Sequence, residues 1–118
     1  MQDYRKLKVW EKSHLLTLRL YQITNDFPKH ELYGITSQIR RAGSSVPANL
    51  AEGSSKATDK HLLQYVQTAL GSLNELEYFV LLSKDLSYIT HNVYDEIISI
   101  INEVKIMLLA FISKLKTT

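Results

Sequence analysis

A chain of 118 residues is the size of one domain, and a single core at that length can bury roughly two-thirds of the unfolded surface. Hydrophobic residues make up 45% and charged residues 22%, the balance of a globular rather than a disordered chain, and the absence of cysteine excludes disulfide scaffolds, cysteine zinc sites and thiol catalysis. The net charge of +2 is unevenly spread: ten Lys/Arg stand against six acids in residues 1–60, a net of +4, and four against six in residues 61–118, a net of −2.

The spacing predicts a first helix over 6–25, with Val9, Leu16, Leu20 and Ile23 on one stripe and Leu7, Trp10, Leu18 and Tyr21 on a neighbouring one. Asp26-Phe27-Pro28 ends it, because the residue before a proline avoids the helical region and the ring cannot continue the helix. A second helix over 35–55 carries Ile35, Ile39, Ala42, Val46, Asn49 and Gly53 on one stripe. Pro47 removes one of its backbone hydrogen bonds and presses on the carbonyl of Gly43; this reads as a kink, the alternative being a break after the capping pair Ser44-Ser45. Thr58 caps a third helix over 59–85, where Leu62, Val66, Ala69, Leu73, Leu76 and Val80 repeat at the spacing of packed antiparallel helices. Thr90 caps a fourth over 91–116, its expected seam running through Val93, Ile97, Ile100, Val104, Leu108, Phe111 and Leu115. Short connections between four long helices predict an all-α, antiparallel up-and-down four-helix bundle, with residues 1–118 as one domain.

The first and fourth helices carry more apolar surface than a monomer needs. Beside the seam of the fourth stand Tyr94, Ile98, Ile101 and Ile112, with Ile106 and Leu109 further round. A surface helix of a monomeric bundle needs an apolar arc little wider than 100°, so the excess predicts self-association. Residues 1–6 lack the apolar core of a signal peptide, and the apolar run Ile106–Ile112 is about a third of a membrane span, so the cytoplasm is the expected location and no membrane partner is expected.

Candidate chemistry is sparse. Glu11 and His14 have the Glu-x-x-His spacing of di-metal bundles, but no second such pair exists, and the seams of the third and fourth helices are apolar throughout. No serine sits in a nucleophile elbow and no glycine run forms a phosphate loop, so neither catalysis nor a cofactor is expected. A polar set on the second helix (Gln38, Arg40, Arg41, Asn49, Glu52) faces Gln67, Glu75 and Glu77 of the third, as register-fixing ion pairs would. Arg5, Lys6, Lys8, Lys12 and Arg19 are interleaved with Tyr4 and Trp10, the residue mixture that contacts phosphates and stacks on bases; with Arg40 and Arg41 they are the candidate nucleic-acid contacts.

The stretches "QIRRAGSSVPANLAEG" (Gln38–Gly53) and "ALGSLNELE" (Ala69–Glu77), together with "LKVWEKSHLLTLRLYQIT" at the start, resemble the four-helix-bundle family of 23S rRNA intervening-sequence proteins, from about Tyr4 to Phe111. The resemblance implies kinship with proteins encoded inside insertions of large-subunit rRNA genes and with accessory proteins of diversity-generating retroelements. It further implies five-fold barrels, here a homopentamer, no enzymatic activity, and a basic surface that meets RNA or DNA and, in the retroelement relatives, a reverse transcriptase. The charge of +2 is modest for that role, and five copies raise it to +10. The rival reading is a protein–protein scaffold without nucleic acid, its arginines spent on internal ion pairs.

Overall fold

The structure, a computed structural model, describes residues 3–118. It consists of four α-helices, α1 (Lys8–Thr24), α2 (Ile35–Ser54), α3 (Asp59–Asp85) and α4 (His91–Lys116), with no strand among the described residues. Contacts run from α1 to α2, α2 to α3, α3 to α4 and α4 back to α1, while the diagonal pairs stand further apart, with no two Cα atoms within 8 Å. The helices therefore stand in a closed square around one core, 45 Å long and 20–23 Å across.

Local chemistry sets the ends. The Asp3 carboxylate accepts the Arg5 N–H at 3.1 Å, which winds Tyr4–Lys6 into a separate 3-10 turn. Leu7 is extended, so α1 starts at Lys8 rather than at residue 6. The Thr58 and Thr90 hydroxyls each accept a backbone N–H three residues on, at 3.2 Å, capping α3 and α4. After α3, Ser87 takes the left-handed conformation (φ 63°), and the Tyr88 N–H turns back to the Ser83 carbonyl at 2.8 Å. The Tyr88 phenol then donates to the Glu31 carboxylate at 2.8 Å, tying this turn to the one that precedes α2. That bond favours the neutral phenol and raises the Tyr88 pKa above its ordinary value.

The α3 row expected from spacing is buried throughout. On α4 the core row is Ile97, Ile101, Val104, Leu108, Ile112 and Leu115, so Ile101 and Ile112, expected as a second stripe, belong to the core. Val93, Ile100 and Phe111 are half-buried. Both adjacent stripes find cover because α4 packs on two neighbours, and Phe111 lies with Leu7 and Val9 at the α1 side.

Small residues bring α2 close to both its partners. A Cβ on Gly43 would stand 2.4 Å from Cδ1 of Leu20, and one on Gly53 would stand 2.7 Å from Cβ of Tyr65. Pro47 lies inside α2 without interrupting it. Lacking an N–H, it leaves the Gly43 carbonyl without its helical donor, and the Thr17 hydroxyl of α1 reaches that oxygen at 3.2 Å while also lying 2.8 Å from the Ser13 carbonyl. The site is buried, so an unmatched carbonyl there costs about 1–3 kcal/mol. Thr17→Val should therefore destabilise the bundle by about that amount in urea unfolding. In a Pro47→Ala background, where an alanine N–H serves Gly43, the same change should cost at least about 1 kcal/mol less. Additive costs in this double-mutant cycle would disprove the pairing.

Candidate nucleic-acid interface

The residues that sequence reasoning nominated do not form one surface. Lys12 donates to Glu103 at 2.7 Å, and Arg19 grips Glu96 through two bonds of 2.8 and 2.9 Å, so both are matched by acids of α4. The Arg19 bond holds the Glu96 carboxyl below the usual carboxylate range and raises Arg19 in turn. Arg41 lies 3.7 Å from Glu75 and hydrogen-bonds Gln38 at 2.8 Å. Arg40 points to α1 rather than to α3: it donates to the Thr24 hydroxyl at 2.9 Å and to Asn25 at 3.2 Å, with its guanidinium 4.6 Å from the centre of the Tyr21 ring. Glu77, expected to face α2, is taken by Lys105 of α4.

Arg5, Lys6 and Lys8 remain together, and the fold adds to them. The start of α1, the connection from α2 to α3 and the last turn of α4 meet at one end of the bundle. Lys8 and Lys114 line one hollow there, of about 300 Å³, and Lys60 and Lys116 another, of about 630 Å³. With Lys56, which sits 5.2 Å from the Tyr65 ring centre, seven cations crowd this end. The acids in the same terminal turns are Asp3, held by Arg5 at 3.2 Å, Glu11 in the first turn of α1, Glu52 in the last turn of α2, and Asp59. Among the described residues, none of the six lysines here has a carboxylate within 4.0 Å.

Lys56, Lys60, Lys114 and Lys116 do not stand out in the sequence as part of this cluster because each lies far from the N-terminal basic stretch. The signal was there: short connections between four helices return residues 55–60 and the C-terminal turn to the pole where α1 begins. Trp10 is half-buried between an edge-on Tyr4 ring, centroids 5.1 Å apart, and a stacked His14 at 5.0 Å, so it belongs to packing rather than to a base-stacking platform. No cluster of three His, Asp or Glu able to hold a metal occurs among the described residues, and no described helix is long and apolar enough to cross a membrane.

A family profile described as 23S rRNA-intervening sequence protein matches residues 5–110. Among solved structures, the chain is similar to the crystal structure of a protein with unknown function from the S23 ribosomal protein family of Bacteroides thetaiotaomicron. The TM-score is 0.79 at 26% identity, over 88% of this chain and 97% of that one. No curated protein matches.

The Arg19–Glu96 pair has a pH signature. A carboxyl whose pKa is lower in the folded than in the unfolded state adds stability above its unfolded value, about 4.3, and loses it as pH falls toward the folded one. Both side chains are more than a third exposed, so the contribution is at most about 1 kcal/mol. Glu96→Gln should thus be the less stable protein at pH 7, and urea midpoints of the two should converge as pH drops below about 4. A gap that persisted at low pH would rule the pair out as its source.

Proposed function

We propose that this chain, which belongs to the 23S rRNA-intervening sequence protein family, is a non-enzymatic, cytoplasmic bundle that assembles with copies of itself and binds RNA or DNA weakly, without sequence preference. The reading rests on one observation, a pole of six lysines none of which has a carboxylate within 4.0 Å among the described residues. Such a surface attracts phosphates by counterion release and carries no base-reading element, which gives affinity without specificity. By family analogy the assembly is a homopentamer. Within each copy the helices run up and down: the pairs Lys12–Glu103 and Arg19–Glu96 advance along α1 while descending α4, and Thr17–Gly43 and Arg40–Thr24 do the same between α1 and α2. Pro47, with its missing backbone bond, is the place for a bend in α2.

Binding of a short fluorescent RNA over a range of salt tests the proposal. Engagement of all six lysines of one copy by a single strand gives a slope of log K against log salt of about −4. Replacing Lys6, Lys8, Lys114 and Lys116 together by alanine should flatten that slope and lower affinity more than about tenfold, whereas Lys12→Ala and Arg19→Ala should each change it less than about twofold. No binding at about 50 mM salt, or binding insensitive to salt, would leave the scaffold reading in its place.

A further inference from the structure

At the end of α1 away from the lysine pole, two adjoining hollows of about 390 and 310 Å³ open beside the first turns of α2. They share Leu32, Thr36 and Arg40; Arg41 lines the first and Lys29 the second, and no aspartate or glutamate lines either. The acids close by in sequence are engaged elsewhere. Glu31 accepts the Tyr88 phenol at 2.8 Å and the Ile35 N–H at 3.4 Å, and Asp26 lines a separate hollow with Arg19. Arg41 reaches Glu75 only at 3.7 Å, and neither Arg40 nor Lys29 has a carboxylate within 4.0 Å among the described residues.

Arg40 is held in one orientation. The Thr24 hydroxyl donates to the Leu20 carbonyl at 2.7 Å and so accepts from Arg40 Nε, at 2.9 Å. Asn25 Oδ1 accepts from Nη2 at 3.2 Å, and the Tyr21 ring centre lies 4.6 Å from the guanidinium. These contacts brace α2 against α1, yet all three partners are neutral and leave the charge of Arg40 unanswered. Two of its five N–H groups are used, so both on Nη1 and one on Nη2 remain. Thr36 is only 3% exposed and lines both hollows, and its hydroxyl has no hydrogen-bond partner among the described residues. A buried hydroxyl is ordinarily bonded, so this one is a polar group left over for whatever enters.

We infer that the hollow between Arg40 and Arg41 binds a phosphate monoester carried on a flat ring, the chemistry of a nucleoside 5′-monophosphate. Such a phosphate carries close to two negative charges at neutral pH and offers three acceptor oxygens. The free Nη edge of Arg40 takes two of these oxygens and the Thr36 hydroxyl the third, while Arg41 at the rim balances the second charge. A carboxylate, with one charge and two oxygens, would leave Arg41 and Thr36 unanswered. The ring lies against Tyr33, which is 94% exposed, with Leu32 beside it. Stacking on a tyrosine accepts any base, so the phosphate rather than the base is what the site selects. The site does not depend on the lysine pole, which lies at the other end of a bundle 45 Å long.

Calorimetric titration with adenosine 5′-monophosphate, adenosine and inorganic phosphate tests the site. The nucleotide should bind more than about tenfold tighter than either fragment. Tyr33→Ala, at an exposed position that leaves the core intact, should weaken the nucleotide about tenfold and inorganic phosphate less than about twofold. Arg40→Lys keeps the charge and loses the fork, and should weaken both more than about tenfold. Replacing Lys6, Lys8, Lys114 and Lys116 together by alanine should leave nucleotide affinity within about twofold, because salt screens charges so far away. In that lysine-free background a 5′-phosphorylated tetranucleotide identifies the source of the phosphate. Binding tighter than that of the free nucleotide assigns the site to strand ends, and weaker binding assigns it to free nucleotides. Absence of saturable nucleotide binding, an affinity no better than that of adenosine, or an affinity unmoved by both Tyr33→Ala and Arg40→Lys would overturn the site. Loss of nucleotide binding in the lysine variant would overturn it as well, by placing the nucleotide at the pole.

Discussion

Pro47 and the Thr17 hydroxyl that answers it hold the arrangement of the bundle in place. A proline in mid-helix forfeits the bond to the carbonyl four residues back, and in the interior an orphaned carbonyl is costly. Here that carbonyl belongs to Gly43, and the absence of a side chain at position 43 allows α1 to come close enough for Thr17 to reach it. The proline, the glycine and the threonine are thus one device that locks α1 to α2. A second close approach, Gly53 against Tyr65, and the Ser45–Ser72 hydroxyl pair at 2.9 Å lock α2 to α3. With α2 fixed on both sides, the rows of α3 and α4 close the square by ordinary apolar packing.

Once the helices are fixed, the ion pairs sort themselves by height along the bundle. Beyond the first turn of α1 its cations Lys12 and Arg19 meet acids on α4, and Arg41 of α2 meets Glu75, so these cations are consumed within the chain. At the pole where α1 begins the lysines outnumber the acids, and Glu11, Glu52 and Asp59 there form no ion pair with them among the described residues. Six lysines crowded together repel one another, and that repulsion opposes compactness. A polyanion relieves it. The functional reading therefore follows from where lysines stand unpaired, which a count of net charge cannot reveal.

Most of the helical framework was legible in the sequence because its signals are local. Thr58 and Thr90 cap what they were expected to cap, and the α3 row repeats at one unambiguous spacing. The misplaced start of α1 came from a competing local bond: Asp3 captures the Arg5 N–H and leaves Leu7 extended. On α4 two apolar stripes stand side by side, and spacing alone cannot say which faces the axis; the second neighbour of α4 decides it in favour of Ile101 and Ile112. The candidate site was legible only in part, since Arg5, Lys6 and Lys8 are contiguous in sequence whereas Lys56, Lys60, Lys114 and Lys116 join them only through the fold. Arg19 was nominated for phosphate because its charge is visible in the sequence and its partner Glu96, 77 residues away, is not.

The lysine pole and the proposed self-association bear on each other. A chain of net charge +2 is a weak ligand for a polyanion. Under the proposed function, copies that set their lysine poles side by side would offer one strand many weak phosphate contacts at once, and linked contacts act together. The six lysines of one copy would then set the salt dependence of each contact, and the number of copies would set how many contacts a strand makes.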